Sequence, residues 1–418
     1  MPTRHRFEEL LARPVDAVTR KELERAGSEL HAQLRLGKRQ AFSFDGESVR
    51  FENLIGSFGL PGGDSVEVSP KVSVEENWAP SVVQLLEPNT PLAVTGAQRS
   101  SPTVRRRDLT GALALEYARR LERALRTEGP LQVYERRSTL SSRLNGRLDV
   151  GRWLRTSIVS PARFPVTRDE LTVDNEFARG LSIIAGALSR SAAGSETSAR
   201  LRRLQTAVIP GAGVPSYVSP AVARRALPSQ WVRYRPAWDI AAALLRSWSV
   251  LGKPGQATGL EVAVTPWPLL ETLLERSLRR IASDGGFIHV PKRKHDLLAV
   301  RGTGSIAQRV EPDGLLQWPD GTVAASFEAK YTRQTETPKE AHLYQALTTA
   351  AVVRSPLAVL VYAGETEPRW FDVHGFGGYP ARVATIGLGL FTYEAGVGDA
   401  TRARRLHHLI AAASSRTP

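Results

Sequence analysis

Apolar positions recur at helical spacing in several separate stretches of the chain. Residues 16–36 open at Asp16 and place Leu23, Leu30 and Leu34 on one face, which predicts a helix ending near Gly37. Residues 108–128 do the same with Leu113, Tyr117, Leu121 and Leu125, and 174–192, 197–208 and 236–251 also read as helices. Between 37 and 100 the pattern shortens and alternates. Asp45-Gly46 predicts a hairpin between 41–44 and 48–51, and Pro61-Gly62-Gly63-Asp64 predicts a turn before the alternating Val66, Val68 and Val72. The stretch 209–230 is rich in Pro, Gly and Ser and reads as a loop.

From about residue 262 the pattern changes. A helix is expected over 266–282, carrying Leu269, Leu270, Leu273, Leu274, Leu278 and Ile281, then strands over 296–301, 306–318 and 322–331. Thr337-Pro338-Lys339-Glu340 reads as a capping box with proline at the first helical position, opening a helix over 338–353. Strands follow over 357–362 and 369–373. The expectation is an α+β multidomain protein: a β-rich N-terminal domain (1–100), a mostly helical middle region (101–260), and a C-terminal α/β domain with a closing helix (261–418).

Composition narrows the chemistry. With 418 residues, 42% of them apolar and 23% charged, the chain is globular in type. It has no cysteine, which excludes disulfides, thiolate zinc sites, iron–sulfur clusters and cysteine nucleophiles. No apolar run approaches the roughly 18–20 residues of a membrane span, and the N-terminus lacks the apolar stretch of a signal peptide, so a cytoplasmic location is expected. The net charge of +14 is localised: residues 101–260 carry 26 basic and 12 acidic side chains, and Lys253 is the only lysine among them. Arginine's planar fork binds phosphate with two parallel hydrogen bonds, which lysine cannot do, so this region reads as a phosphate-contacting face or, alternatively, as an arginine-biased composition on solvated helices.

One stretch carries a catalytic pattern. Glu311-Pro312-Asp313-Gly314 is followed by Phe327-Glu328-Ala329-Lys330-Tyr331, with Pro319-Asp320-Gly321 between them to turn the chain. In such a hairpin Glu328 and Lys330 share a face, and pairing can bring Asp313 beside them. Two converging carboxylates repel each other unless a cation joins them, and carboxylate oxygens suit Mg²⁺, or Mn²⁺ in its place. Weaker signals lie nearby. Pro291-Lys292-Arg293-Lys294 is a basic cluster that either touches DNA or forms a solvated loop. Trp231, Tyr234 and Trp238 interleave with Arg233 and Arg235, as a base-stacking platform or as helix packing. The eight histidines show no ligand spacing.

Taken with the order helix, three strands, helix, strand, this pattern resembles the restriction-endonuclease-like PD-(D/E)xK fold. More closely it resembles the McrC family, the nuclease subunits of McrBC-type restriction systems. Ile55-Gly56-Ser57-Phe58-Gly59 with Val66-Glu67-Val68-Ser69-Pro70-Lys71-Val72, Leu144-Asn145-Gly146-Arg147-Leu148-Asp149, Arg168 to Glu176, Glu328-Ala329-Lys330-Tyr331 and Tyr344-Gln345 resemble family segments in the same order. The resemblance implies that Asp313 and Glu328 bind the metal and that Lys330 activates or positions water. It also implies a helix acid, Glu271 or its rival Glu275, and an orienting amide, Gln345. Glu328 stands where the family usually has aspartate.

The resemblance further implies a partner, a McrB-like hexameric AAA+ GTPase engaged through residues 1–100. The chain itself has no Gly-x-x-x-x-Gly-Lys-Ser/Thr phosphate loop; Gly37-Lys38 and Gly252-Lys253 lack the upstream glycine and the hydroxyl. The expected function is a Mg²⁺-dependent DNA endonuclease subunit acting with that GTPase in defence. The alternatives are a stand-alone repair or recombination nuclease, and a non-catalytic DNA-binding adaptor that regulates an NTPase.

Overall fold

The computed structural model describes residues 3–72, 77–97, 108–191, 194–248, 259–374 and 379–414. The chain is mixed α+β and divides into two compact units. The first comprises Met1–Ala93, Arg107–Ala112 and Val262–Pro418; the second comprises Val94–Arg106 and Leu113–Glu261. The N-terminal and C-terminal segments therefore share one unit, into which the middle of the chain is inserted.

The N-terminal segment runs through β1 (Arg4–Glu8), β2 (Arg13–Pro14), α1 (Ala17–Leu34), β3 (Phe42–Asp45), β4 (Ser48–Phe51), β5 (Ile55–Gly59), β6 (Ser65–Ser69), α2 (Ala79–Leu85) and β7 (Leu92–Ala97). Helix α1 starts where the sequence places it, because Asp16 accepts hydrogen bonds from the amides of Val18 and Thr19. Leu23, Leu30 and Leu34 pack with Phe51, Phe58, Val66 and Val68 into one core. The hairpin at Asp45-Gly46 joins β3 to β4.

The middle segment contains α3 (Leu109–Glu128), β8 (Val133–Ser141), β9 (Arg147–Leu148), α4 (Val150–Thr156), β10 (Phe164–Thr172), α5 (Glu176–Arg190), α6 (Ser195–Ala207), two short 3₁₀ turns (Pro220–Arg224 and Ser229–Tyr234) and α7 (Arg235–Trp248). The four expected helices are present. The end of the helix read over 236–251, the Gly252-Lys253 pair and Arg105 to Arg107 lie outside the described residues. "Mostly helical" needs correcting, because β8 and β10 pair antiparallel over nine residues each, with β9 on the far side of β10. Trp231, Tyr234 and Trp238 form packing rather than a platform. Tyr234 and Trp238 are buried, and the Trp231 ring nitrogen donates to the Gln132 carbonyl at 2.7 Å.

The C-terminal segment comprises β11 (Gly259–Val264), α8 (Trp267–Asp284), β12 (Ile288–Val290), β13 (His295–Ala299), β14 (Ile306–Val310), β15 (Gly314–Gln317), β16 (Val323–Lys330), α9 (Glu340–Val353), β17 (Leu357–Tyr362), β18 (Glu365–Asp372), β19 (Arg382–Leu388) and α10 (Val397–Ser414). Its six-stranded sheet has the order β12-β15-β16-β17-β19-β18. Strands β16, β17 and β19 are parallel and the outer pairs antiparallel. β17 is buried at every position, as expected of a strand covered on both faces. Ala346, Leu347 and Ala350 of α9 pack on Ala358, Leu360 and Tyr362 of β17.

Two sequence expectations change here. The strand read over 306–318 is two strands in different sheets, because Pro312 has no N–H with which to continue a ladder. The capping box before α9 is not formed. Pro338 and Lys339 remain non-helical, Lys339 at φ −60°, ψ 137°, and the helix begins at Glu340 without a side-chain cap.

Candidate active site

The hairpin β15–β16 builds the site. Its turn is closed by Asp320, whose carboxylate accepts from the Thr322 amide at 2.8 Å, and by Gly321 at φ +85°. Gly314 pairs with Phe327, which sets Asp313 beside the Glu328–Lys330 end of β16. The glycine also lets the strand approach α8: a Cβ there would stand 2.4 Å from Leu278 Cδ1. Asp313 Oδ2 accepts from the Ala329 amide at 2.8 Å, fixing one end of its carboxylate.

Glu328 is buried, and both of its oxygens are engaged. Oε2 accepts from Lys330 Nζ at 3.2 Å and from Gln345 Nε2 at 2.8 Å; Oε1 accepts from Thr349 Oγ1 at 3.0 Å. Gln345 Oε1 accepts from Lys330 Nζ at 2.9 Å, so one amide spans the acid and the ammonium. Burial holds the Glu328 carboxyl above its ordinary pKa; Lys330 opposes this and the nearby Asp313 charge reinforces it.

Helix α8 contributes Glu271. Its Oε2 accepts from Lys292 Nζ, which also reaches Asp313 Oδ1 at 3.2 Å. Burial raises the Glu271 pKa, and Asp313 raises it further. Burial alone would lower the Lys292 pKa, but the two carboxylates outweigh it and the ammonium is held more firmly than usual. The rival helix acid, Glu275, turns instead to Arg279 at 2.6 Å. The structure thus gathers Asp313, Glu328, Lys330, Gln345 and Glu271.

Sequence reasoning missed Thr349, although it lies one helical turn after Gln345 and so on the same face of α9. It read Lys292 only as part of a basic cluster, because no local pattern shows that the loop after β12 returns to α8.

The carboxylates are hard oxygen donors, the type that Mg²⁺ or Mn²⁺ prefers. Asp313 acts electrostatically on both Glu271 and Glu328. Among the described residues, however, no three His, Cys, Asp or Glu side chains are gathered so as to hold a metal. Ammonium groups occupy the space between them: Lys292 joins Glu271 to Asp313, and Lys330 caps Glu328. The donor chemistry fits a hard divalent cation, with Lys292 in the seat between two of the acids.

The second unit has a basic surface of its own. Arg136, Arg147 and Arg168 line an open cleft of about 690 Å³ on the β8–β10–β9 sheet, together with Asp149 and Asp169. Arg143, Arg152 and Arg163 are exposed on the same segment. Arg136 pairs with Asp169 and Arg168 with Glu170, each at 3.5 Å, and other arginines of the unit are paired as well, Arg179 with Asp174, Arg225 with Glu176 and Arg120 with Glu116. No described helix is long and apolar enough to cross a membrane.

The chain was compared with known proteins. The family model "McrBC 5-methylcytosine restriction system component" matches residues 49–363. Among solved structures, a chain of the refined half-complex from a tetradecameric assembly of Thermococcus gammatolerans McrB AAA+ hexamers with bound McrC is similar in fold. That match has a TM-score of 0.66 and 14% identity, covering 97% of this chain and 100% of the other. A chain of the Thermococcus gammatolerans McrBC complex, solved by cryo-EM, matches at a TM-score of 0.47 and 15% identity, covering 67% of this chain and 88% of its own. No curated protein matches significantly. The family match covers most of the chain and includes Glu271, Asp313, Glu328, Lys330 and Gln345, and the protein belongs to the McrBC restriction-system component family, in line with the McrC resemblance of its motifs.

Proposed function

We propose that this protein is the DNA-cleaving subunit of a McrBC-like restriction system, a Mg²⁺-dependent endonuclease that works with an AAA+ GTPase. The observation that carries the reading is the convergence of Asp313, Glu328, Lys330 and Gln345 at the end of one buried strand. Helix α8, hairpin β15–β16, helix α9 and strand β17 follow the element order of the restriction-endonuclease-like fold, which supports the same reading.

Asp313 and Glu328, with Glu271, would hold the cation. When bound, it supplies charge neutralisation at the phosphodiester and a Lewis acid for water. The chain's own groups provide the orientation. Gln345 and Glu328 fix the Lys330 ammonium at 2.9 and 3.2 Å, so that its remaining proton is directed rather than mobile. There it can position the attacking water and stabilise the developing charge. The Ala329 amide holds Asp313 in register with the strand.

A partner is part of the reading because the chain lacks a phosphate loop. The structure similar in fold is described as McrB AAA+ hexamers with bound McrC. The test is cleavage of DNA by the purified chain with a McrB-like AAA+ GTPase, GTP and Mg²⁺. Cleavage that requires the partner and is lost in Asp313→Ala supports the reading. Partner-independent cleavage favours a stand-alone nuclease, and wild-type cleavage by Asp313→Ala overturns the site.

A further inference from the structure

The oxygens of the site can be assigned one by one. Asp313 Oδ2 is committed to the Ala329 amide; Glu328 Oε1 and Oε2 are committed to Thr349, Gln345 and Lys330. The remaining contacts, Asp313 Oδ1 and Glu271 Oε2, converge on a single atom, Lys292 Nζ. Lys292 is carried on the loop between β12 and β13, whereas both acids stand on α8 or at the start of β15. It is a long side chain about one-third exposed, on irregular backbone, and it can withdraw without disturbing the sheet. Lys330 differs in being fixed by two contacts, Glu328 on the strand and Gln345 on α9.

We infer that Lys292 is a tethered substitute cation: it occupies the position between Glu271 and Asp313 that the divalent metal takes, and the metal must displace it to bind. This rests on the nuclease reading of the site. The reasoning is electrostatic and geometric. Two carboxylates a few ångströms apart need a positive charge between them, and one position cannot hold an ammonium and a divalent ion together. Lys292 is therefore a positioning residue that keeps the acids assembled before the metal arrives and lowers the metal affinity by competing for the same oxygens.

The test is calorimetric titration of Mg²⁺ into the full-length chain without DNA, comparing wild type with Lys292→Met and Lys292→Gln. Removing the competitor is expected to tighten Mg²⁺ binding about tenfold, an effect of the size typical of a strong local charge interaction. Lys292→Arg, which keeps a charge on a longer arm, should not tighten it. Thermal unfolding supplies a second reading. In chelator, Lys292→Met should melt below wild type, because Glu271 and Asp313 lose their counter-charge, and saturating Mg²⁺ should close the gap. Equal Mg²⁺ affinity in wild type and both neutral variants overturns the substitute-cation role and leaves the nuclease reading intact. No Mg²⁺ binding by wild type or by any variant overturns both.

Discussion

Two antiparallel strand pairs in this protein look alike on paper and behave oppositely. In the first unit, β15–β16 is part of a covered sheet: Phe327 and Glu328 are buried and the polar groups of the strand end point at one another. In the second unit, β8–β10 buries only Pro165 and Val166, and Tyr134, Leu140 and Leu171 are exposed. The covered pair holds charges that must be satisfied internally, since burial makes an unpaired charge costly. The open pair carries its charges in loose surface pairs instead, Arg136 with Asp169 and Arg168 with Glu170 at 3.5 Å, which contribute little to stability. The two kinds of charge pairing thus stand in separate units of the chain.

The comparison can be broken at several points. On the proposed nuclease reading, Asp313→Ala should reduce cleavage about a thousandfold or more, since a carboxylate that holds the cation would be worth several kcal/mol of transition-state stabilisation. DNA binding and the unfolding temperature should barely change in that variant; a filter-binding assay and a thermal melt check this. Phe327→Ala should destabilise by about 3–5 kcal/mol, while Tyr134→Ala on the open sheet should stay within about 0.5 kcal/mol. Denaturant titration of both variants measures the contrast directly.

Replacing Arg136, Arg147 and Arg168 together by glutamate should weaken DNA binding and lower the slope of log affinity against log salt by about 3, while Mg²⁺ binding at Asp313 and Glu328 stays unchanged. An unaltered salt slope would remove the open sheet from the DNA-binding surface. The smallest effect concerns Glu9. It is buried, 3.7 Å from Lys71 and hydrogen-bonded by Tyr331 at 2.8 Å, the residue after Lys330. Burial raises its pKa, against the pull of Lys71 and Tyr331. Its contribution to stability is therefore full at pH values below the ordinary glutamate range and is lost as pH rises through the raised value. Glu9→Gln should flatten the stability profile in that window, as read by denaturation at a series of pH values.

The covered region was the more legible in sequence, for physical reasons. Helices α1 and α8 carry unbroken apolar stripes, and β17 is an apolar run, so each appears by its period alone. The spacing of Asp313, Glu328 and Lys330 survives in one hairpin, where sequence distance and spatial distance agree. Lys292 and Thr349 were not legible as site residues because their proximity depends on packing between elements. The strands β8 and β10 were missed because they are rich in Arg, Glu, Ser and Thr, and a strand with little to bury has no apolar alternation to read. β19 was missed even though it is buried and is flanked by Gly377-Gly378, Pro380 and Gly389; its run is broken by Thr385 and Gly387, so apolar content alone does not mark it.

The insertion of the middle segment bears on how the protein is made. β5 pairs with Ala263 and Val264, roughly two hundred residues further along the chain. A nascent chain that stops at Glu261 would present β5 as an uncovered edge, open to pairing with other chains. It would also lack Glu271, Asp313, Glu328 and Lys330. Synthesis therefore completes the first unit last, so that a prematurely terminated product carries the arginine surface without the residues gathered at the candidate active site.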